Sequence, residues 1–193
     1  MIGYAICGSF CTHEKSLAVL AEVKEAFGEV LPILSFNAAS MDTRFGKAAF
    51  LIEKVKNICG RDPVMTIDEA EPIGPKIKLD LMIIAPCTGN TLAKMAHGIT
   101  DTPVTMAAKA HLRNGRPLLI ALASNDAMSA NLVNIGTLLN KKNTFFVPMV
   151  QDDPVNKPHS LVADFKLVVE SAHAAMKGEQ LRPVFMTVSE PKN

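Results

Sequence analysis

Four short segments rich in glycine and in hydroxyl and amide side chains each follow an apolar run of this sequence. They lie at residues 8–13, 35–44, 85–91 and 123–127. Hydroxyls, amides and backbone N–H groups supply hydrogen-bond donors and acceptors without a net charge. Together the four segments therefore predict a neutral binding cradle for a phosphate or a heteroaromatic ring.

The third segment lies between a predicted strand and a predicted helix. The chain is apolar from residue 81 to residue 85 and then breaks at Pro86-Cys87-Thr88-Gly89-Asn90-Thr91. Beyond the break, residues 92, 95, 96 and 99 recur with the spacing of one helix face. In open parallel sheets ligands bind at the carboxyl ends of strands, so we expect this turn to form the floor of a ligand pocket.

The first segment, Gly8-Ser9-Phe10-Cys11, precedes a predicted helix. Exposed N–H groups and the positive end of the helix dipole make such a place suitable for an anion. Neither G-x-G-x-x-G nor G-x-x-x-x-G-K-[ST] occurs, which favours a mononucleotide over NAD or ATP. Two alternatives stay open: a plain strand-to-helix turn here, and a helix that caps itself at Thr88 and Asn90.

The elements that would position these segments alternate along the chain. Predicted strands span residues 2–7, 30–36, 79–85, 117–122 and 144–147, and Pro32 indicates that the second lies near an edge or starts late. Residues 37–44 are predicted as a loop, and 60–78 as a long connection with at most a short strand at 64–67. The predicted helices are marked by apolar positions 17, 20, 23 and 27; 45, 49, 52 and 55; 88–97; 103–113; 128, 132, 135 and 139; and 161, 165, 168 and 172.

This alternation predicts an α/β fold, a three-layer Rossmann-like (flavodoxin-like) parallel sheet with helices on both faces. We expect one domain over residues 1–180 and a C-terminal tail over 181–193. The four polar segments should then meet at one edge of the sheet. The polar loop around Asp152, Asp153, Lys157 and His159 is expected at the same edge, as a lid or a subunit contact.

Composition argues against several classes of protein. The 193 residues carry a net charge of +1, with one tyrosine and no tryptophan, which disfavours nucleic acid as a partner. No apolar run approaches the roughly 20 residues of a membrane span, and no basic leader opens the chain. The four cysteines lack zinc spacing, so we predict no metal site and a reducing, cytoplasmic location.

Gly8-Ser9, Ser35 and the run from Ala85 to Thr91 resemble the flavoprotein family of homo-oligomeric flavin-containing cysteine decarboxylases. In that family the third loop reads Pro-Ala-Ser-Ala-Asn-Thr, where this chain has Pro86-Cys87-Thr88-Gly89-Asn90-Thr91. The run from Leu92 to Asp101 continues the family pattern. The likeness extends over residues 1–175 and is most specific in the third loop.

The resemblance implies FMN held between the subunits of a homo-oligomer, a trimer or a dodecamer. It implies phosphate contacts from Ser9 and Ser35 and a place for Thr88 and Asn90 beside the ring or the substrate. Arg44 is a further candidate, because a guanidinium binds phosphate or carboxylate bidentately; an exposed loop arginine is the alternative. The full predicted cofactor site is Gly8, Ser9, Phe10, Ser35, Asn37, Arg44, Ala85, Pro86, Thr88, Asn90 and Ala123.

Segments 35–37, 42–46, 151–154 and 157–161 further resemble one branch of this family. That branch is one subunit of an oxidoreductase that forms pyridine-2,6-dicarboxylate from dihydrodipicolinate, or from a hydrated precursor, in the mother cell of spore-forming bacteria. The resemblance implies a small dicarboxylate substrate and a separate A subunit that binds NADP.

Pro72 stands where the decarboxylases have their histidine base, and residues 121–124 lack the arginine of the flavin prenyltransferases. The catalytic residues are therefore unassigned. Two alternatives remain: a flavin-binding scaffold subunit without chemistry of its own, and an FMN-dependent decarboxylase with an unrecognised base.

Overall fold

The computed structural model describes residues 1–187 of the chain. Its strands are β1 (Ile2–Ile6), β2 (Val30–Leu34), β3 (Leu81–Cys87), β4 (Leu118–Ser124), β5 (Thr144–Phe146), β6 (Met149–Val150), β7 (Leu161–Ala163) and β8 (Phe185–Met186). Its helices are α1 (His13–Phe27), α2 (Phe36–Ser40), α3 (Ala48–Cys59), α4 (Ile67–Ala70), α5 (Gly89–Ala96), α6 (Pro103–Leu112), α7 (Leu132–Leu139) and α8 (Val168–Met176).

A parallel sheet in the order β2-β1-β3-β4-β5 forms the centre of the fold. Every residue of β1, β2 and β3 is buried, as expected for parallel strands that are covered on both faces. One face packs against α4 to α7 and the other against α1, α3 and α8, giving two separate apolar clusters. The predicted three-layer α/β class is confirmed, and β2, which contains Pro32, is an edge strand as expected.

The sheet is mixed, which the sequence did not predict. The carboxyl end of β4 pairs antiparallel with β7, and β7 pairs antiparallel with β6. The prediction of a helix beginning near Leu161 was therefore wrong. Leu161, Phe165 and Val168 have helical spacing, but Asp164 interrupts the run by accepting a hydrogen bond from the Lys166 N–H at 3.1 Å.

Three further boundaries differ from the prediction. Residues 36–40 form α2 where a loop was expected, because the Ser35 hydroxyl accepts a hydrogen bond from the Ala38 N–H and starts a helix. Residues 67–70 form a helix, and the strand expected there is reduced to one bridge between Ile33 and Val64. Phe45 and Met128 precede α3 and α7 and do not belong to them.

The predicted division at residue 180 stays a prediction. In the described part of the predicted tail, Phe185 and Met186 pair with β6 as strand β8. The rest of that tail, residues 188–193, lies outside the described residues.

Candidate functional site

The four polar segments meet at the carboxyl edge of the sheet, around the ends of β1 and β3. These two strands are neighbours, but the chain leaves β1 toward β2 on one side and later reaches β3 on the other. This reversal of strand order is the point at which doubly wound sheets form their ligand crevice. The site is therefore placed by the topology as well as by its residues.

Two serines mark the ends of β1 and β2, and they differ in how their hydroxyls are used. Ser9 precedes a 3-10 turn at Phe10–Thr12 and its side chain makes no capping hydrogen bond. Ser35 caps α2 by accepting from the Ala38 N–H at 3.3 Å. Gly8, which precedes Ser9, is packed closely against the second segment, because a Cβ at this position would lie 3.3 Å from the Cβ of Asn37.

The third segment caps its own helix. The Thr88 hydroxyl donates to Thr91 Oγ1 at 3.1 Å and accepts from the Thr91 N–H at 3.3 Å. Thr91 in turn donates to the Cys7 Sγ at 3.4 Å. The self-capping alternative is therefore correct for Thr88, whereas Asn90 is exposed at the start of α5.

The fourth segment carries a hydrogen-bonded carboxylate. The Ser124 hydroxyl donates to Asp126 Oδ1, and Asn131 Nδ2 donates to Asp126 Oδ2 at 3.0 Å. Asn131 is itself held by Asn134 Nδ2 at 3.0 Å. This network lies directly against Gly89, where a Cβ would come within 2.6 Å of Ser124 Oγ.

These segments enclose two adjacent cavities. The central cavity, of about 780 Å³, is lined by the first, third and fourth segments together with residues 44–45 and parts of 152–162. A smaller one, the Ser35 cavity, is lined from α2 and α5. Of the predicted cofactor residues, Gly8, Thr88 and Asn90 line both cavities; the central cavity adds Ser9, Phe10, Arg44 and Ala123, and the Ser35 cavity adds Ser35 and Asn37.

Ala85 and Pro86 are placed differently from the prediction and line neither cavity. Strand β3 continues to Cys87, so both residues are buried inside the sheet. The Ala85 carbonyl accepts a hydrogen bond from Ser16 Oγ at 2.5 Å, and that of Pro86 accepts one from the Cys7 N–H at 3.1 Å. Their role is to build the strand that carries the third segment.

The sequence did not assign a role to several residues that line the central cavity, namely Cys11, Phe45, Ser124, Asp126 and Ser160. Ser124 and Asp126 lie in a segment that was expected at this edge, and their hydrogen-bonding side chains were the available signal. The loop between β6 and β7 does reach the site. Ser160 Oγ donates to Asp152 Oδ1 at 2.8 Å, and Lys157 Nζ lies 3.6 Å from Asp152 Oδ2.

Arg44 lines the central cavity on the side of α2 and α3. Its guanidinium carbon lies 4.8 Å from the centroid of the Phe45 ring, a cation–π distance. Among residues 1–187, no carboxylate forms an ion pair with it. The side chain is exposed and thus accessible to an anionic ligand.

Four further side chains that could bind a ligand or transfer a proton are instead engaged within the protein. Cys87 is fully buried, and burial raises its pKa well above the usual thiol value. His97 Nδ1 lies 2.9 Å from the Ala93 carbonyl oxygen, one turn back in its own helix. His13 Nε2 donates to the Cys7 carbonyl at 2.8 Å, and burial lowers its pKa. Arg116 donates to the Leu79 carbonyl at 2.6 Å.

Two other expectations concern absences. Within residues 1–187, no group of three or more His, Cys, Asp or Glu side chains is arranged to hold a metal ion. The helices of that same part of the chain are all too short or too polar to cross a membrane.

Residues 8–178 match the family model described as Flavoprotein, which is most of the chain and includes all four polar segments. The chain belongs to the flavoprotein family. The predicted family is therefore confirmed.

Two relatives cover nearly the whole of this flavoprotein. The B subunit of dipicolinate synthase from Bacillus subtilis (strain 168) is 42% identical over 185 residues, which is 96% of this chain and 92% of that protein. The crystal structure of the B subunit of dipicolinate synthase from Bacillus halodurans superposes with a TM-score of 0.88 at 40% identity, over 96% of this chain and 95% of that one.

A more distant structure has the same fold. The dodecameric FMN-dependent UbiX-like decarboxylase from Escherichia coli O157:H7 has a TM-score of 0.62 at 20% identity, over 77% of this chain and 80% of that one. At this identity the likeness extends to the fold alone.

Proposed function

We propose that this chain is the flavin-binding B subunit of a dipicolinate synthase. Acting with an A subunit, it would oxidise a dihydrodipicolinate to pyridine-2,6-dicarboxylate. The observation that carries the proposal is the 42% identity to the B subunit of a dipicolinate synthase over 96% of the chain. NADP would be bound by the A subunit, in agreement with the absence of a dinucleotide fingerprint in this sequence.

The residues around the two cavities fit FMN. The central cavity, at about 780 Å³, is within the usual size range of cofactor sites. The Ser9 hydroxyl makes no capping bond, so it can donate to a phosphate, and Ser35 retains its hydroxyl proton because it acts as an acceptor in its cap. Asn90 offers a donor and an acceptor to a ring edge or a carboxylate. When bound, FMN would supply a ring that accepts and donates electrons.

Two cations that line the central cavity support a small dicarboxylate substrate. Arg44 comes from the connection before α3, and Lys157 from the loop between β6 and β7. Lys157 lies 3.6 Å from Asp152, too long for a strong hydrogen bond. Both side chains are therefore able to exchange their present surroundings for a substrate carboxylate.

The assembly and location follow from the same proposal. We infer a homo-oligomer, a trimer or a dodecamer, which the dodecameric UbiX-like decarboxylase supports, with the A subunit as an additional partner. The four cysteines are free, which supports the reducing cytoplasm of a spore-forming bacterium.

A second candidate function is a flavin-binding scaffold without chemistry of its own. It is favoured by Pro72, which lines neither cavity and has no proton-accepting side chain, and by the lack of any histidine among the described residues that line them. The same observations argue against the decarboxylase alternative.

Reconstitution with the A subunit distinguishes these functions. The purified chain should bind added FMN, seen as quenching of flavin fluorescence. Dipicolinate should form from dihydrodipicolinate and NADP only when both subunits are present. Full activity of the A subunit alone would favour the scaffold, and no FMN binding would refute the cofactor assignment.

A further inference from the structure

Asp126 is the carboxylate that the fold holds most rigidly in the central cavity. It follows β4, and its side chain is half-buried at the cavity wall. Asp126 Oδ1 accepts from Ser124 Oγ and Oδ2 from Asn131 Nδ2 at 3.0 Å. An ionised carboxylate has about four lone-pair sites, so each oxygen keeps one for a ligand.

The support behind this carboxylate is itself buried and fixed. Asn131 and Asn134 are buried and hydrogen-bonded to each other, and the Asn131 N–H also donates to the Asp126 carbonyl at 3.2 Å. On the other side Gly89, the first residue of α5, lies so close that a Cβ there would come within 2.8 Å of Asp126 Oδ1. The N-terminus of that helix favours a negative charge at this position.

The other ionisable groups of the cavity wall are less suited to accept a proton. Arg44 and Lys157 are cations that already carry their protons. Asp152 is exposed on the loop between β6 and β7, where it binds Ser160 and faces Lys157. Cys11 is exposed in a 3-10 turn, where no hydrogen bond from another described residue fixes its side chain. Asp126 therefore combines negative charge, access to the cavity and a fixed position.

We propose that Asp126 accepts the proton that a dihydropyridine dicarboxylate loses when its ring becomes aromatic; this inference rests on the proposed function. One ring C–H bond breaks with its electron pair, and the oxidised nicotinamide of the A subunit is the final acceptor of that hydride. A second ring hydrogen leaves as a proton to an Asp126 oxygen, and its bonding electrons complete the aromatic ring. The products are pyridine-2,6-dicarboxylate, the reduced nucleotide and a protonated Asp126.

The experiment uses the complete two-subunit enzyme and the variant Asp126→Asn, which keeps the size of the side chain. Loss of a general base lowers kcat by about 10²- to 10⁴-fold, and the decrease of wild-type kcat at acid pH should disappear in the variant. FMN affinity and the affinity for the A subunit should stay close to wild type. Asp152→Asn, at the other carboxylate that lines the cavity, should lower kcat far less.

A second variant separates proton transfer from a structural role. Asp126→Ala should regain activity when formate is added, because a small carboxylate can enter the space that the side chain leaves, whereas chloride at equal ionic strength should not restore it. A wild-type pH profile for Asp126→Asn, or failure of formate to restore Asp126→Ala, would overturn the assignment of Asp126. Absence of product with both wild-type subunits would instead refute the proposed function itself.

Discussion

Replacing Gly89 by alanine perturbs the closest contact between the third and fourth segments. The new Cβ would lie 2.6 Å from Asn131 Nδ2, 2.6 Å from Ser124 Oγ and 2.8 Å from Asp126 Oδ1. Gly89 does not have a positive φ, so the backbone accepts alanine without strain. The effect therefore depends on the displaced side chains.

The size of the effect can be estimated from two opposing contributions. Alanine in a helix is more stable than glycine by up to about 1 kcal/mol. Against this, each hydrogen bond to the charged Asp126 contributes about 1.5–3 kcal/mol. The new methyl group displaces both donors of these bonds, Ser124 Oγ and Asn131 Nδ2. The sum predicts that Gly89→Ala lowers the free energy of unfolding by about 2–5 kcal/mol.

Urea denaturation at a fixed protein concentration measures this change, and Gly136→Ala is the matched control. Gly136 lies inside α7, also without a positive φ, and no atom lies within 4 Å of the position that a new Cβ would take there. We expect the control to gain about 0.5–1 kcal/mol. If Gly89→Ala were as stable as the wild type, the rigid network around Asp126 would be refuted.

Three further predictions concern protons, thiols and phosphate. Burial lowers the pKa of both His13 and His111 in the folded protein, so these histidines bind protons more readily in the unfolded chain. The free energy of unfolding should therefore fall as the pH drops below about 6.5. A constant free energy of unfolding in urea titrations through that range would contradict this. Cys11 is the exposed thiol among the described residues, so Ellman's reagent should react rapidly with one cysteine, and Cys11→Ser should abolish this rapid reaction. Rapid reaction of a second thiol would count against the structure. Ser9→Ala and Ser35→Ala should each lower the affinity for FMN about tenfold and leave the affinity for riboflavin unchanged; equal losses for riboflavin would show that the phosphate is not the group contacted. Of the two variants, only Ser35→Ala should also lower the free energy of unfolding, by about 1 kcal/mol, because Ser35 caps a helix and Ser9 does not.

The central part of the fold could be predicted because its signals are local. Buried parallel strands read as continuous apolar runs, and α5 shows its apolar face in the spacing of Leu92, Met95 and Ala96. The sequence pattern places the end of β3 too early, at Ala85. Pro86 lacks an N–H donor, but its carbonyl still accepts a hydrogen bond from the Cys7 N–H, so the strand continues. A proline near the end of a buried strand thus does not mark the start of the loop.

The contents of the site were less predictable than its place. Glycine, serine, threonine and asparagine after four apolar runs indicated where a ligand edge would form. The contact between Gly89 and Asp126 could not be read in the same way, because it depends on how two distant loops pack together. Likewise the composition gave no sign that Ser9 keeps its hydroxyl available whereas Ser35 uses its own to cap a helix.

The antiparallel extension of the sheet explains why the loop between β6 and β7 lines the central cavity. Strand β4 pairs with β5 only through residues 118–120, and its carboxyl end at Ala123 and Ser124 pairs with β7. Since β7 forms a hairpin with β6, the loop between them is held over the end of β4, and it brings Lys157 to the cavity that Arg44 lines. A purely parallel sheet would leave this side open to solvent. Pairing β7 with the last residues of β4 therefore links the short C-terminal strands, whose sequence pattern predicted a helix and a tail, to the walls of the candidate site.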